Sequence, residues 1–382
     1  MNDITAGQRG GYTFLPQEHV LFGVGSLEGL TGEVERVGGR RALVITGRSL
    51  ATRTTVIDAV THALGPLHVA TFDGIGEHAP RRSVARAVEA ARAHAADTLV
   101  SVGGGSPIDA AKAVALELAG DGNSRAGGGV MPPHIAIPTT LSAAEFSHLA
   151  GVTDEAGGPG ARPVKAGFAD PRVAPRGVIL DAALTLPTPE RLWLSSGVRA
   201  LDHAVETLYA PGAHPIEDVL ALEAIRRLFH YLPLSKERPD DLDARTELQL
   251  AAWMSFFGEV NTPMGLSHNL GRRMGATYGV PHGITSCVTL APVMRFMTTK
   301  DAGRLGAIAC IGRAVAGDVV GDDLRAAQAA VDAVGDLVIQ LGLPTRLREV
   351  GIEDDAIPAI AAGVAGAGAE CARIEELLHT ML

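Results

Sequence analysis

Short apolar segments alternate with amphipathic stretches in the first half of the chain, and this alternation limits the fold more than any other feature. The β-rich segments are RALVITG, LHVATFDG, DTLVSVGGG and PHIAIPTT. Stretches with helical spacing, such as RRSVARAVEAARAHAA and SPIDAAKAVALELAG, lie between them. Strands that alternate with helices pair in parallel, because each helix carries the chain back across the sheet. We therefore predict a Rossmann-like α/β domain with a parallel sheet.

Strand signals end near residue 185, and the later stretches, such as TPERLWLSSGVRALDHAVETLYA and PIEDVLALEAIRRLFHYLP, have helical spacing. This predicts an α/β domain over residues 1–185 and an all-helical domain over residues 186–382. A cleft between two domains is a common ligand site, so we expect the site there. The Gly/Pro-rich segments Asp121–Pro133 and Asp154–Pro163 are predicted to be disordered loops.

Composition excludes several classes of function. The net charge of −10 gives no reason to expect nucleic acid or an anionic membrane as a partner. No apolar run is long enough to span a membrane, and the first residues, MNDITAGQRGGYTF, lack an apolar signal core. Three widely spaced cysteines form neither a zinc pattern nor a disulfide framework. We predict a cytoplasmic protein that acts on a small molecule, with a homodimer as the default assembly.

The stretch VSVGGGSPIDAAKAVAL is the most informative local motif. A β-rich run leads into Gly103, Gly104 and Gly105, then Ser106, then a proline at the first helical turn. A glycine turn that opens a helix presents backbone N–H groups and the positive end of the helix dipole, which suits a pyrophosphate. The alternative is a tight turn without a ligand. The spacing differs from the G-x-G-x-x-G pattern of dinucleotide-binding proteins.

Two other strand ends carry candidate cofactor contacts. Thr139 and Thr140 follow the strand IAIP, where their hydroxyls would contact a ribose or a phosphate, or would simply cap a helix. Gly47 and Arg48 follow the strand ALVIT, where an adenosine ribose commonly lies. An acid at that point favours NAD, and an arginine accommodates a 2′-phosphate. No acid is present there, which favours NADP or the use of both cofactors.

Together these stretches resemble the iron-containing alcohol dehydrogenase superfamily and, within it, the maleylacetate reductase-like branch. The matching segments include FGVGSLEGL, IPTTLSAAEFSHLAGVTDE, SSGVRALDHAVETLYA and GLSHNLGRRMGATYGVPHG, in family order. The resemblance implies a dehydroquinate synthase-like fold and an NAD(P)H cofactor across the cleft. It implies pyrophosphate contacts from Gly104, Gly105 and Ser106, with Thr139 and Thr140 nearby. It also implies that Lys165 approaches the nicotinamide ribose, the alternative being a solvated loop lysine.

Metal-bearing members of this superfamily use an aspartate, a histidine four residues later and two further histidines. The resemblance places His203, His268 and His282 at the three histidine positions, so these residues would hold a metal if one is present. Arg199 stands at the aspartate position. Asp202 lies about 100° around the helix from His203, so it is expected to replace the missing ligand only if the backbone shifts.

A second departure is Arg272, which stands where family dehydrogenases carry a substrate-facing histidine. A guanidinium repels a dication, is a poor general acid, and binds carboxylates and oxyanions. We therefore predict a reductase without a metal, acting on the carbonyl or enone of an acidic substrate. Arg199 and Arg272 would bind the anion or oxyanion, and a histidine among the three would supply the proton. The alternative is that Arg199 pairs with Asp202 or Glu206 and Arg272 faces solvent.

Two other functions remain open at this stage. One is a metal-dependent alcohol dehydrogenase that uses the three histidines, and the other is a non-redox cyclase, lyase or ligand-binding protein on the same scaffold. We interpret the aromatic residues of the helical half as packing residues. His78 and His148 are placed on loops at the edge of the cleft. The aromatic residues in question are Trp193, Trp253, Phe256 and Phe257.

Overall fold

The computed structural model describes residues 11–120, 131–154, 164–211, 214–317 and 321–382. The chain forms two compact units. The sheet unit comprises Leu15–Trp193 and Arg238–Leu250, and the helical unit comprises Met1–Phe14, Leu194–Glu237 and Ala251–Leu382. The segment Arg238–Leu250 thus belongs to the sheet unit although it lies well beyond residue 185.

The sheet unit is built on six parallel strands in the order β1-β8-β5-β4-β2-β3, with β6 and β7 forming a separate antiparallel pair. The predicted parallel sheet is confirmed. The four β-rich segments correspond to β2, β3, β4 and β5, whereas the other four strands had not been expected. The strands are β1 (His19–Phe22), β2 (Ala42–Ile45), β3 (His68–Phe72), β4 (Thr98–Gly103), β5 (His134–Pro138), β6 (Leu149–Asp154), β7 (Val164–Ala169) and β8 (Gly177–Leu180).

Side chains of the central strands alternate between two hydrophobic cores. Leu43 and Ile45 of β2 pack into the core beneath the helices that follow β3 and β4, whereas Val44 packs into the core on the opposite face. Every residue of β2 and β4 is buried. Each fully buried aliphatic side chain contributes about 1.5–3 kcal/mol, which favours a sheet covered on both faces.

The predicted helices follow their strands, with one of them divided in two, and α1 before β2 is an addition to the prediction. The stretch SLATRTTVIDAVTHALG forms two helices because Thr54 is extended, with φ −139° and ψ 166°. Its hydroxyl donates to the Leu50 carbonyl at 2.6 Å and accepts from the Val56 N–H at 3.3 Å. The helices are α1 (Leu30–Arg36), α2 (Arg48–Arg53), α3 (Val56–Leu64), α4 (Arg81–Ala93) and α5 (Gly105–Ala119).

The strand order reverses between β2 and β4. From β2 the chain passes to β3 on one side, and from β4 it passes to β5 on the other. In open α/β sheets, ligands bind outside the carboxyl ends of the strands at such a switch point. Gly47 and Gly103 mark these two strand ends, so the fold places the predicted cofactor contacts at one edge of the sheet.

The helical unit contains no strand in the part of the chain that the structure describes, which confirms the all-helical prediction. No described helix is long and apolar enough to cross a membrane. Most of the two segments predicted to be disordered, residues 121–130 and 155–163, lies outside the described residues. The later helices are α6 (Glu190–Tyr209), α7 (Pro215–Glu237), α8 (Leu242–Ser255), α9 (Leu266–Tyr278), α10 (His282–Met297), α11 (Ala302–Val315), α12 (Asp323–Gln340), α13 (Ile357–Ala365) and α14 (Ala369–His379).

Candidate active site

The glycine turn between β4 and α5 brings two segments of backbone close together. Gly103 has a φ of +135°, in the region that favours glycine, and α5 begins two residues later without a side-chain cap. A Cβ on Gly104 would lie 3.1 Å from the Thr140 Cγ2 atom. The turn therefore leaves the first N–H groups of α5 open to a ligand, as a pyrophosphate site requires.

Two buried hydroxyl groups face this turn without a partner in the part of the chain that the structure describes. Thr140 is only 5% exposed, and neither its Oγ1 nor the buried Ser142 Oγ makes a hydrogen bond there. The Ser142 Oγ lies 3.6 Å from the position of a Cβ on Gly105. Buried hydroxyls usually have partners, so these two are candidate contacts for a bound cofactor. Thr139 lies beside them, and its N–H donates to the Gly103 carbonyl at 2.9 Å.

The Ser106 side chain holds a strained loop against the turn. Its Oγ accepts a hydrogen bond from the His78 N–H at 3.0 Å, and the His78 carbonyl accepts one from the Thr153 hydroxyl at 2.9 Å. His78 and Ala79 both have positive φ, 59° and 48°. Such strain in residues other than glycine is common at functional sites. The hydroxyl proton of Ser106 remains available for a phosphate oxygen.

Gly47 pairs with Gly74 in an isolated bridge, which ties the end of β2 to the end of β3. Arg48 follows Gly47 and is exposed. No acidic residue is adjacent to Gly47 in the sequence. The bridge, however, places Asp73, the residue that follows β3, near Gly47. Lys165 lies on β7, and its side chain is outside the described residues.

The helical unit assembles a second group of predicted site residues from α6, α9 and α10. Arg199, His203 and Glu206 of α6 are spaced four and three residues apart, so they share one face of the helix. His268 and Arg272 lie on α9, and His282 is the first residue of α10.

Glu206 is the anchor of this group. Its carboxylate accepts hydrogen bonds from the N–H groups of Gly265 (2.8 Å) and Ser267 (2.7 Å), where α9 begins. It also accepts from the His268 Nδ1 at 2.7 Å and the Tyr209 hydroxyl at 3.2 Å. Burial raises the pKa of Glu206, whereas the backbone N–H groups lower it. The sequence analysis did not assign Glu206 this role, although its spacing from His203 indicates the shared face.

Asp202 is closer to the group than predicted. Its Oδ2 lies 3.5 Å from the His268 Nδ1, without any irregularity in α6. Asp202 thus approaches His268, whereas the structure does not group it with His203 and His282, the other histidines of the predicted ligand set, so its role as a replacement ligand stays a prediction. The Oδ2 accepts hydrogen bonds from the hydroxyls of Ser286 (2.6 Å) and Ser267 (3.0 Å), whereas the buried Oδ1 has no partner within the described ranges.

Two of the histidines form a stack with an aromatic residue. The ring of His203 lies 4.7 Å from that of His268 and 4.0 Å from that of Phe256, measured between centroids. Burial lowers the pKa of His268 to about 3 and the pKa of His203 well below its usual value, so both are neutral at pH 7. Phe256 packs as predicted, but it packs on a candidate site residue.

The two arginines differ in environment. Arg199 is largely buried, and its Nη1 donates to the Ser286 Oγ at 3.2 Å and lies 3.5 Å from the Asp202 Oδ2. This contact matches the alternative in which Arg199 pairs with Asp202, yet the Nε and Nη2 atoms make no hydrogen bond within the described chain. Arg272 is exposed and has neither a hydrogen bond nor an ion pair with any described residue.

The donor set fits a resident metal ion poorly. Among the described residues, the potential ligands whose donor atoms lie within 4.8 Å of one another are Asp202, Glu206 and His268, and His203 and His282 lie outside that set. Glu206 is saturated by protein donors, and the His268 Nδ1 is committed to it. An ion bound there would break these bonds and lie close to the permanent charge of Arg199.

Comparisons with known proteins agree with this architecture. The model of the iron-containing alcohol dehydrogenase family matches residues 16–182, and the model of its C-terminal domain matches residues 193–375. Maleylacetate reductase 2 of Cupriavidus pinatubonensis is 37% identical over 293 residues, 76% of this chain and 75% of that protein. A maleylacetate reductase of Rhizobium sp. is 32% identical over 354 residues, 92% of this chain and 89% of that protein. The crystal structure of a maleylacetate reductase from Rhizobium sp. superposes with a TM-score of 0.81 at 30% identity, covering 98% of each chain.

Proposed function

The chain belongs to the iron-containing alcohol dehydrogenase family and is an NAD(P)-dependent oxidoreductase, and within that family we propose that it reduces a small acidic substrate without a metal. The observation that supports this proposal best is the guanidinium of Arg199. It lies beside Asp202 and Ser286, at the position where metal-bearing relatives carry an aspartate. The fixed positive charge of the Arg199 guanidinium would replace the charge of a metal ion.

When bound, the nicotinamide would supply a hydride for the carbonyl carbon or the conjugated carbon of the substrate. Negative charge then develops on the substrate oxygen, and a proton completes the reduction. Guanidinium groups stabilise such an oxygen by charge-assisted hydrogen bonds and bind carboxylates in the same way. Arg199 has unbonded Nε and Nη2 atoms, and Arg272 has no described partner. We assign oxyanion or carboxylate binding to both.

The proton donor is proposed to be His282. The notable difference among the three candidate histidines is that burial keeps the imidazoles of His203 and His268 neutral at pH 7. His268 also directs its Nδ1–H at Glu206. His282 is less buried than either and begins α10.

The cofactor is proposed to lie on the glycine turn. Its pyrophosphate would contact the backbone of Gly104 and Gly105 and the hydroxyl of Ser106, with Thr139 and Thr140 alongside. Gly47 and Arg48 would lie near the adenosine ribose, with Arg48 accommodating the 2′-phosphate of NADPH, and Lys165 near the nicotinamide ribose. We propose that NADPH is accepted as well as NADH, and that the enzyme is a cytoplasmic homodimer.

The acidic substrate class is supported by the relatives and by the arginines. The two relatives named above are maleylacetate reductases, and a third comparable protein with that name comes from Pseudomonas sp. at 33% identity. Maleylacetate carries two carboxylates, which suits a site with two guanidinium groups.

The test is a steady-state assay of NADH and NADPH oxidation with maleylacetate and with its uncharged diester, using protein dialysed against EDTA. We expect turnover of the acid, little turnover of the ester, and no gain when zinc or iron is added. Equal turnover of the acid and the ester would contradict the proposed binding of substrate carboxylates by the two arginines. Activity that depends on added metal would refute the metal-free mechanism.

One observation favours a second candidate, a metal-dependent alcohol dehydrogenase. The Asp202 Oδ1, the His203 Nδ1 and the His268 Nε2 are buried and have no hydrogen-bond partner among the described residues. Carboxylate oxygens and imidazole nitrogens that are buried without a hydrogen-bond partner can coordinate a cation. The neighbouring guanidinium of Arg199 opposes this candidate, and the EDTA-dialysed assay with added metal distinguishes the two.

A further inference from the structure

The Ser286 hydroxyl lies between the guanidinium of Arg199 and the carboxylate of Asp202. Its Oγ is 3.2 Å from the Arg199 Nη1 and 2.6 Å from the Asp202 Oδ2. The direct approach of Arg199 to Asp202 is longer, 3.5 Å. The guanidinium is therefore held chiefly through the serine and only weakly by the carboxylate itself.

The chemistry of the three groups fixes the direction of both hydrogen bonds. A guanidinium only donates, and an ionised carboxylate only accepts. The Ser286 oxygen therefore accepts from Arg199, and its O–H points to the Asp202 Oδ2 at 2.6 Å, which is much closer than the other acceptor in reach, the His282 carbonyl at 3.4 Å. Because the hydroxyl donates to the Asp202 carboxyl group, its oxygen becomes a stronger acceptor for the guanidinium.

The surroundings make this arrangement rigid. Asp202 is fully buried and is held from its other side by the Ser267 hydroxyl at 3.0 Å. Ser286 is also fully buried. Gly271 of α9 lies against the guanidinium, with the Arg199 Nη1 3.7 Å from the position that a Cβ would take. One nitrogen of Arg199 is thus fixed, and its Nε and Nη2 atoms donate to no residue that the structure describes.

We propose that Ser286 is a positioning residue that orients Arg199 towards the anionic group of the substrate, with Asp202 polarising the serine. This inference rests on the proposed function, in which Arg199 binds substrate. It goes further by naming the residue that sets the direction of the guanidinium. Ser286 itself contacts neither substrate nor cofactor in this account.

The first test needs no substrate. Crystal structures of the full-length Ser286→Ala and Ser286→Thr proteins would show where the Arg199 guanidinium lies. We expect it to leave its position beside Asp202 in Ser286→Ala and to keep that position in Ser286→Thr, which retains the hydroxyl. A guanidinium that stays in place in Ser286→Ala would overturn the inference, whether or not the enzyme reduces maleylacetate.

The second test is kinetic. We expect Ser286→Ala to raise KM for maleylacetate about tenfold, the effect of one lost charge-assisted hydrogen bond, with a smaller change in kcat. Ser286→Thr should restore KM. Ser255→Ala is the matched control, because the Ser255 hydroxyl is also buried but bonds only to the Ala252 carbonyl of its own helix.

A double-mutant cycle separates positioning from general damage to the fold. In an Arg199→Met background, Ser286→Ala should no longer change KM, since the guanidinium it positions is absent. An additive effect of the two substitutions would contradict the inference. A wild-type enzyme that does not oxidise NAD(P)H with maleylacetate would refute the proposed function instead, and the crystal structures would still decide the role of Ser286.

Discussion

Replacing Glu206 by glutamine should destabilise the helical unit strongly, although the two side chains have the same shape. The four donors around Glu206 are the N–H groups of Gly265 and Ser267, the His268 Nδ1–H and the Tyr209 hydroxyl. The amide oxygen of a glutamine can accept from only two of these four donors, and its NH₂ group must face the other two. The Tyr209 hydroxyl can rotate and accept from that NH₂ group. The other donor facing the NH₂ group is an N–H that cannot accept, so it loses its hydrogen bond.

The cost follows from those contacts. One charge-assisted hydrogen bond is lost and one buried N–H is left unsatisfied, which together amount to about 2–4 kcal/mol of unfolding free energy. The matched control is Glu223→Gln on the surface of α7. Glu223 is 40% exposed in its side chain and pairs with Arg227 at 2.8 Å, so its loss should cost less than about 1 kcal/mol.

The assay is urea denaturation at pH 7 of the wild type and both variants, followed by circular dichroism. The reasoning predicts a clearly lower midpoint for Glu206→Gln than for Glu223→Gln. Equal midpoints would refute it, because they would mean that the Glu206 carboxyl is already neutral in the native protein and that glutamine replaces it without loss.

Three further predictions concern the two units separately. Arg199→Met should lower kcat/KM for maleylacetate about a hundredfold and Arg272→Met about tenfold, because Arg272 is exposed, and neither should change the cofactor Kd measured by NADPH fluorescence. Gly104→Ala should raise that Kd about tenfold, since the added Cβ would lie 3.1 Å from Thr140 where the pyrophosphate is proposed to bind, while its φ of −85° permits alanine. Burial raises the pKa of Glu145 from 4.5 to about 7. The native state therefore loses stability as the pH rises through 7, because the buried carboxyl must ionise. In urea titrations, Glu145→Gln should stabilise the protein by up to about 3 kcal/mol at pH 8 but by little at pH 5.

Much of the fold could be predicted because its central strands are continuous buried runs. The segments that form β2 and β4 are buried throughout, with ALVI wholly apolar and TLVSVG mostly so, and each is followed by a helix-forming stretch. The strands β1 and β8 lie outside the regular alternation of strands and helices: the end residues of β1 are exposed, and no α-helix lies between β5 and β8 in the described chain. The strands β6 and β7 lie next to the Gly/Pro-rich segment Asp154–Pro163. The glycines and prolines of that segment favour a loop, so the sequence did not indicate the strands beside it.

The site could be predicted where spacing along one helix decides it, and not where tertiary contacts decide it. The spacing of Arg199 and His203 places both on one face of α6, as the structure has them. The role of Ser286 depends on α10 packing beside α6, which no local pattern encodes. Phe256 looks like an ordinary packing residue in the sequence, and its position on His203 emerges only from the fold. Asp73 joins the region of Gly47 through strand pairing, which a reading of one strand end misses.

The most direct test of the central claim is the metal content of the protein, purified without chelator from cells supplied with zinc and iron and measured by inductively coupled plasma mass spectrometry. If the guanidinium of Arg199 stands in for an ion, the content of each metal should be far below one per chain, and the same protein should reduce maleylacetate at full rate. One tightly held zinc or iron per chain, whose removal abolishes the reduction, would contradict the account.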